Sequence, residues 1–379
     1  MKIATIVGAR PQFIKAAVLS RAIKLHPEVT EILIHTGQHY DKNMSEVFFE
    51  EMEIPKPDHF LYISGLSHGA MTGRMIEEVE KLLLEIKPDY LVVFGDTNST
   101  LAPALAAKKI GIRTVHIEAG VRNFDEYMPE EINRYLVDRL AEINFCCSSL
   151  GEENLKKEGF GTGIIKSEVY NYGDVMYDAA LFYEKKSDAL STILDKLNLK
   201  NTDYVICTVH REGNTNDAGK LTEIISALNI INETIPVIVP IHPRTKKKLA
   251  DYGLTANFTC IDPVGYFDMI QLVKGARYVI TDSGGLVREA YFFKRPSLVL
   301  MESPFWPELV DGGYCLSTQL VKEEIIKEFN LLDTTNKDYD SCIFGDGNAG
   351  EKIITQIIAH YEKKSGKEMI KPILVKMSK

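Results

Sequence analysis

The sequence predicts an α/β protein with two doubly wound parallel sheets, one in each of two domains, and an interdomain cleft. Short runs rich in β-branched residues alternate with amphipathic helical stretches along nearly the whole chain. The alternation restarts after a helical segment near the middle, and 379 residues exceed what one hydrophobic core usually serves. We therefore expect a first domain at 1–173 and a second at 174–349, with the C-terminal segment 350–379 packing back on the first.

The first domain is predicted from five short apolar runs and the helices between them. Strands that alternate with helices form parallel sheets through right-handed crossovers. Residues 174–200 are predicted to form one long linking helix with a polar end. The predicted strands are 3–7, 32–35, 90–94, 114–117 and 143–147, and the clearest helices are 71–86 and 99–109.

The second domain repeats this pattern and ends in a helix and a basic tail. The last helix is predicted at 350–361, and six Lys between Lys363 and Lys379 are expected to form solvated surface. In doubly wound sheets, ligands bind beyond the carboxyl ends of the strands, so site residues are expected there. The predicted strands are 204–208, 237–239, 258–261, 278–280 and 297–300.

Composition and charge exclude several classes of protein. Hydrophobic residues make up 45% and charged residues 26%, which is typical of a globular chain and not of a disordered or fibrous one. The 44 Lys and Arg against 53 Asp and Glu give a net charge of −9, which argues against nucleic acid or an anionic membrane as a partner. Six Cys lack CxxC pairs, nine His lack metal-ligand spacing, and no apolar stretch approaches the ~20 residues that span a bilayer. We therefore expect a cytoplasmic protein without a bound metal.

The turn after the first predicted strand is a candidate anion site. Gly8 permits a tight turn, and Pro11 suits the start of a helix. Arg10 and Lys15 add positive charge near the free amides of that helix. The segment lacks the GxGxxG fingerprint, so a bound dinucleotide cofactor is not supported. A strand–Gly–helix turn is also generic in α/β proteins, which leaves a purely structural role open.

Acidic residues collect where predicted strands end. Asp96 and Glu118 each follow a predicted strand, and Glu130 and Glu131 open a predicted helix. The Glu pair also compensates a helix dipole, which would suffice to explain a single acid there. Three acidic motifs at one edge of a sheet favour acid–base chemistry instead.

Two motifs of the second domain favour a nucleotide site. His210 and Arg211 follow a predicted strand, and the segment 283–285 leads from another strand into a helix. Its two Gly let backbone amides approach a phosphate, and Glu289 lies about one turn on, within reach of a ribose. An ordinary capped helix is the plainer alternative.

Together these motifs resemble the non-hydrolysing UDP-N-acetylglucosamine 2-epimerases, which have two Rossmann-like domains of the glycosyltransferase-B type. The resemblance covers nearly the whole chain, because the segments 8–15, 95–97, 116–122, 129–134, 210–214 and 282–289 stand in family order. It implies catalytic roles for Asp96, Glu118, Glu130 and His210. It implies UDP-sugar contacts by seven residues, namely Arg10, Lys15, Arg134, Ser283, Gly284, Gly285 and Glu289.

The resemblance also implies a reaction, the interconversion of UDP-GlcNAc and UDP-ManNAc. A base removes the C2 proton as the bond from C1 to the UDP oxygen breaks, giving 2-acetamidoglucal and UDP. UDP then adds again while a proton is delivered to the other face. This route needs no cofactor. The family further implies a UDP-sugar as partner and a cytoplasmic homodimer of polysaccharide biosynthesis.

The chain departs from the family pattern at a few positions. Met301 stands where members usually have an Arg that serves the phosphate region. Several segments, including 35–41 and 262–266, are closer to the branch that epimerises UDP-2,3-diacetamido-2,3-dideoxyglucuronic acid, which is the alternative substrate. The segment 38–45 and Gly213 depart from the family's allosteric motif, so we expect no activation by the gluco epimer.

Two other functions remain open from the sequence. A glycosyltransferase of the same fold would use one base and an acceptor groove, and the three acids speak against it. A non-catalytic nucleotide-sugar sensor would keep the segment 283–289 and lose the acids, yet all three acids are present.

Overall fold

The computed structural model describes residues 1–38 and 52–366, and the chain divides into two compact units. Unit 1 comprises Met1–Gly120, Glu126–Val175 and Gly345–Lys379, and unit 2 comprises Val121–Asp125 and Met176–Phe344. No helix within 1–38 or 52–366 is long and apolar enough to cross a membrane. Residues 39–45 of the proposed allosteric motif and the Lys-rich tail from 367 on lie outside the described residues.

In the described part of unit 1, seven parallel strands form one sheet in the order β3-β2-β1-β4-β5-β6-β7. The strands are β1 Lys2–Val7, β2 Thr30–His35, β3 His59–Phe60, β4 Tyr90–Phe94, β5 Arg113–Ala119, β6 Ile143–Cys146 and β7 Glu168–Asn171. The helices are α1 Arg10–Ile23, α2 His68–Ile86, α3 Asn98–Lys109, α4 Pro129–Leu140 and α5 Ser149–Lys157, together with the last helix, α15 Ala349–Ser365.

Strand β4 forms the centre of the unit 1 core. All five of its residues are apolar and buried, which is the pattern of a strand covered by helices on both faces. Val79 and Leu83 of α2 belong to the same hydrophobic cluster as Leu91 and Val93 of β4. Because β4 itself carries no charged side chain, the candidate acid Asp96 follows the strand and does not lie within it.

The last helix belongs to unit 1, although the chain reaches it from unit 2. Helix α15 packs beside α1. The hydroxyl of Tyr90 lies 2.6 Å from Nδ1 of His360 in the buried interior, and the hydroxyl of Tyr172 donates to Gln356 at 3.0 Å. These contacts tie the C-terminal segment to the first sheet.

In the described part of unit 2, six parallel strands form a second sheet in the order β10-β9-β8-β11-β12-β13. The strands are β8 Val205–Thr208, β9 Val237–Pro240, β10 Thr259–Ile261, β11 Tyr278–Thr281, β12 Ser297–Val299 and β13 Cys315–Ser317. The helices are α6 Val175–Leu190, α7 Ile193–Lys196, α8 Glu212–Thr215, α9 Ala218–Asn232, α10 Pro243–Asp251, α11 Tyr266–Gly275, α12 Gly284–Phe292, α13 Pro307–Asp311 and α14 Lys322–Asn330, followed by a 3-10 turn at Leu332–Thr334.

The predicted α/β class with parallel sheets is confirmed, and two details of the prediction are wrong. The linking helix predicted at 174–200 is broken between α6 and α7. Ser191 lies at the break, where its hydroxyl donates to Asp268 at 2.5 Å and accepts from the amide of Ile193. Such side-chain bonds compete with the helical ladder. The strands predicted from the sequence also do not include β3, β7 and β13, which are edge strands of two to four residues.

Candidate functional site

Each sheet has a point where the strand order reverses, and the predicted site residues lie near these points. In unit 1, β1 lies between β2 and β4, and in unit 2, β8 lies between β9 and β11. Ligands of doubly wound sheets bind beyond the carboxyl ends of the strands at such positions. Arg10, Lys15 and Asp96 follow β1 and β4, whereas His210 and the segment 283–289 follow β8 and β11.

The turn from β1 into α1 requires a glycine. A Cβ on Gly8 would lie 2.1 Å from Oγ of Ser99 and 2.2 Å from Oγ1 of Thr36, closer than Cβ atoms approach. The side-chain oxygen of Gln12 closes the turn by accepting hydrogen bonds from two successive backbone amides at 2.9 and 3.1 Å. Arg10 is the first residue of α1 and is exposed at this edge.

Lys15 and Glu118 form an ion pair that is almost closed to solvent. Nζ of Lys15 lies 2.6 Å from Oε2 of Glu118, and the two side chains are 5% and 12% exposed. A Cβ built on Gly95 would lie 3.4 Å from that Nζ and 3.9 Å from Oε1 of Glu118. The structure thus brings Lys15, Glu118 and the turn that carries Asp96 together.

The backbone of Glu118 is strained. Its φ is 71°, in the left-handed region, and the β5–β6 register shifts between Ile117 and Ala119. This conformation costs a residue with a side chain roughly 1–2 kcal/mol. Bulges of this kind redirect a side chain and occur next to active sites. Here the distortion lies at a predicted catalytic acid.

Asp96 is held by residues of α4. Nη2 of Arg134 donates to its carboxylate in a short contact, and Nη1 of Arg134 donates to Glu131 at 2.8 Å. Asn133 donates from its side-chain amide to the backbone oxygen of Asp96 at 2.8 Å. Burial disfavours the charge of Arg134, yet the carboxylates of Asp96 and Glu131 raise its pKa above the ordinary value. Asp96 is therefore fixed in both backbone and side chain.

The two glutamates that open α4 have different surroundings. Glu131 is fully buried against Arg134, whereas Glu130 is half-buried in the first turn of the helix. The sequence alone suggested that either acid compensates the helix dipole. The structure separates them, since Glu131 belongs to an internal ion pair and Glu130 does not share that burial.

In unit 2, a buried aspartate that the sequence reasoning missed organises the turn after β8. The carboxylate of Asp282 accepts from the backbone amides of His210 and Arg211 at 3.0 and 2.9 Å and from the side chain of Asn214 at 3.1 Å. It also lies 3.2 Å from Nδ1 of His210, whose side chain is 44% exposed. The carboxylate thus fixes the backbone of the turn and lies beside the imidazole of His210.

Two glycines with different surroundings open helix α12. Ser283 caps the helix, and its hydroxyl accepts a first-turn amide at 3.4 Å. A Cβ on Gly284 would lie 2.9 Å from the ring of Phe305, whereas Gly285 is exposed. Glu289 is half-buried further along the same helix.

Met301, which replaces the cation expected from the family, lies beside another arginine. Nη1 of Arg211 lies 2.9 Å from the sulfur of Met301, and the guanidinium lies 4.7 Å from the ring centre of Phe305. The positive charge at the end of β12 therefore comes from the turn after β8.

Arg244 and His242 after β9 were also missed. Nη2 of Arg244 donates to the backbone oxygen of His210 at 2.6 Å, and its Nη1 pairs with Glu212. Burial, Arg244 and His210 together lower the pKa of His242 below its ordinary value. A signal was available, because His242 and Arg244 lie three and five residues after the predicted strand 237–239, and Asp282 lies two residues after the predicted strand 278–280.

Across 1–38 and 52–366, no group of three or more His, Cys, Asp or Glu side chains is arranged to hold a metal ion. The charged groups of the site contact one another instead. In unit 1 these contacts pair each of two candidate acids with a buried cation.

Comparison with known proteins gives consistent similarities. A profile of the family described as UDP-N-acetylglucosamine 2-epimerase matches residues 21–358. The UDP-2,3-diacetamido-2,3-dideoxy-D-glucuronate 2-epimerase of Pseudomonas aeruginosa is 45% identical over 356 residues, which cover 93% of this chain and 98% of that protein. The UDP-N-acetylglucosamine 2-epimerase of Methanococcus maripaludis is 39% identical over 368 residues, with 94% and 98% covered.

A solved structure shows the same likeness. The crystal structure of Methanocaldococcus jannaschii UDP-GlcNAc 2-epimerase in complex with UDP-GlcNAc and UDP is 36% identical and has a TM-score of 0.86. The match covers 95% of this chain and 100% of that one. The similarity therefore extends over nearly the full length of each protein.

Proposed function

The chain belongs to the UDP-N-acetylglucosamine 2-epimerase family, and we propose that it interconverts UDP-GlcNAc and UDP-ManNAc by inverting C2. The observation that carries the proposal is the pair of carboxylates on neighbouring strands of unit 1. Asp96 follows β4, Glu118 belongs to β5, and the turn at Gly95 abuts the Lys15–Glu118 pair. Inversion at carbon needs two acid–base groups, one for each face.

The proposed reaction is an elimination followed by a re-addition. A carboxylate takes the C2 proton, the electron pair of that bond forms the C1–C2 double bond, and the C1–O bond breaks to release UDP. The products are 2-acetamidoglucal and UDP. UDP oxygen then attacks C1 while an acid delivers a proton to the opposite face of C2. Asp96, Glu118 and Glu130 are the proposed acids, and no redox cofactor enters the balance.

We assign the UDP contacts mainly to unit 2. Amides at the start of α12, next to Ser283 and Gly285, present the positive end of a helix dipole to a diphosphate. Nδ1 of His210 lies 3.2 Å from Asp282, and we assign Nε2 of the same ring to the leaving oxygen. Glu289 is assigned to the ribose. Arg10 and Lys15 at the start of α1, with Arg134, complete the proposed substrate contacts in unit 1.

A second substrate is favoured by one observation. Identity to the Pseudomonas aeruginosa UDP-2,3-diacetamido-2,3-dideoxy-D-glucuronate 2-epimerase is 45%, which equals the identity to a UDP-N-acetylglucosamine 2-epimerase homolog of Methanococcus maripaludis and exceeds the 39% to the UDP-N-acetylglucosamine 2-epimerase of that organism. The gluco-configured diacetamido uronate is therefore the alternative substrate. The same acids would act on it, because the chemistry at C2 does not involve the groups at C3 and C6.

We further propose a cytoplasmic homodimer that serves polysaccharide biosynthesis. Nucleotide sugars are intracellular precursors, which supports a cytoplasmic location. The proposed dimer rests on the resemblance to the family. Analytical ultracentrifugation tests the oligomeric state directly.

The test of the reaction uses heavy water. We expect incubation with UDP-GlcNAc in D₂O to place deuterium at C2 in both epimers, with little free UDP at equilibrium. The diacetamido uronate is run in parallel, and the ratio of kcat/KM identifies the better substrate. A protein that binds UDP but leaves the C2 proton of both sugars in place would contradict the proposal and favour a sensor.

A further inference from the structure

His116 and Asp138 form a fully buried pair beneath the acids of unit 1. Nδ1 of His116 lies 2.7 Å from Oδ1 of Asp138, and Nε2 lies 2.8 Å from the backbone oxygen of Gly95. Both side chains are 0% exposed. His116 lies on β5 and Asp138 on α4, so the pair also links a strand to the helix that holds Asp96.

The two acceptors define where the protons are. A backbone carbonyl cannot donate, so Nε2 of His116 carries a proton for Gly95. The contact between Nδ1 and Asp138 contains one further proton, on the ring or on the carboxyl group. In either arrangement the pair is neutral as a whole, which avoids an isolated buried charge.

The pair fixes both turns that carry catalytic acids. Gly95 donates its amide to the oxygen of Ile117 at 2.9 Å and accepts from His116, so both of its backbone groups are bound to β5. Oδ2 of Asp138 accepts the amide of Gly120 at 3.3 Å. Gly95 and Gly120 have φ values of 64° and 77°. One turn precedes Asp96 and the other follows Glu118.

We propose that His116 and Asp138 are positioning residues for epimerisation, which act by holding the turns of Asp96 and Glu118 in place. The inference rests on the proposed function. A displacement of about 1 Å at reacting groups costs up to about 10²-fold in rate. A buried pair that served only the fold would affect stability and leave the rate of the folded enzyme unchanged.

Two substitutions of His116 separate its two bonds. In His116→Gln, the amide nitrogen lies near the position of Nε2 and can donate to Gly95, whereas in His116→Asn it lies near Nδ1 and can donate only to Asp138. We expect kcat to fall about 10²-fold in the Asn variant and less than about tenfold in the Gln variant, with KM nearly constant. Equal losses in both variants would overturn the proposal.

Two substitutions of Asp138 give an independent comparison. In Asp138→Asn, the side chain donates to Nδ1 of His116 and still accepts from Gly120, so a neutral His116 keeps its bond to Gly95. In Asp138→Leu, the leucine side chain is similar in size to aspartate and forms no hydrogen bonds. We expect the Asn variant to keep most of the wild-type kcat and the Leu variant to lose about as much as His116→Asn. An Asn variant as impaired as the Leu variant would overturn the proposal, and this comparison remains valid where the His116 variants do not fold.

A spectroscopic measurement separates this inference from the proposed reaction. In a protein labelled with ¹⁵N-His, the Nε2 resonance that disappears in His116→Asn is expected in the protonated range at pH 7. A deprotonated Nε2 would overturn the inference whatever the enzyme does. Absence of deuterium at C2 in the wild type would instead overturn the proposed function and leave the ring's proton assignment standing.

Discussion

Removal of the Lys15 charge is expected to destabilise unit 1 strongly, because it breaks a nearly buried ion pair on one side. The two side chains are 5% and 12% exposed and 2.6 Å apart. Breaking such a buried pair on one side costs about 3 kcal/mol or more. In a domain of 150–250 residues, 1 kcal/mol lowers Tm by about 2–4 °C, so Lys15→Met should lower it by about 6–12 °C.

The assay is a double-mutant cycle followed by differential scanning calorimetry, which resolves the transitions of separate units. Lys15→Met, Glu118→Gln and the double variant are compared, and the double variant should recover much of the lost stability because both members of the pair are then neutral. Lys81 and Glu77 supply the matched control, since their charged groups are 2.7 Å apart while their side chains are 60% and 53% exposed. Their coupling should be close to zero. If the Lys15–Glu118 coupling were as small as that of the control, the reasoning from burial would be refuted.

Three further predictions concern function. Asp96→Asn, Glu118→Gln and Glu130→Gln should each lower kcat by about 10² or more with an unchanged circular dichroism spectrum, and near-normal turnover in all three would exclude their proposed roles. UDP at millimolar concentration should raise Tm by mass action, and Glu289→Ala should reduce that shift; no shift in the folded wild type would contradict the proposed UDP site. Because Gly213 stands at the position of the family's regulatory Glu, the reaction started from the manno epimer alone should proceed without a lag, and a lag that trace gluco epimer abolishes would contradict this.

The central part of the fold was predictable because it depends on local pattern. Strand β4 is bounded correctly from the sequence, since five consecutive apolar residues between turn signals describe a strand buried on both faces. The edge strands β3 and β13 have two and three residues and lack that pattern. They pair because a neighbouring strand offers hydrogen bonds, which depends on tertiary structure.

The candidate site was predictable only in part, for a related reason. Residues that follow a strand, such as Asp96, are marked by their position in the chain. The buried partners of the site are not marked in this way. Asp138, for example, contacts His116 only because α4 packs on the sheet. A weaker signal existed, since Glu131, Arg134 and Asp138 recur at helical spacing, and the structure buries all three. Three charged residues along one buried helix face predict internal ion pairs.

The different surroundings of the three acids fit a reaction that removes a proton on one face and returns it on the other. Lys15 and Arg134, both buried, hold Glu118 and Asp96 in fixed ion pairs. Glu130 lies instead in the half-exposed first turn of α4, where the helix dipole is positive. Acid and base roles are usually divided between carboxylates whose environments differ in this way.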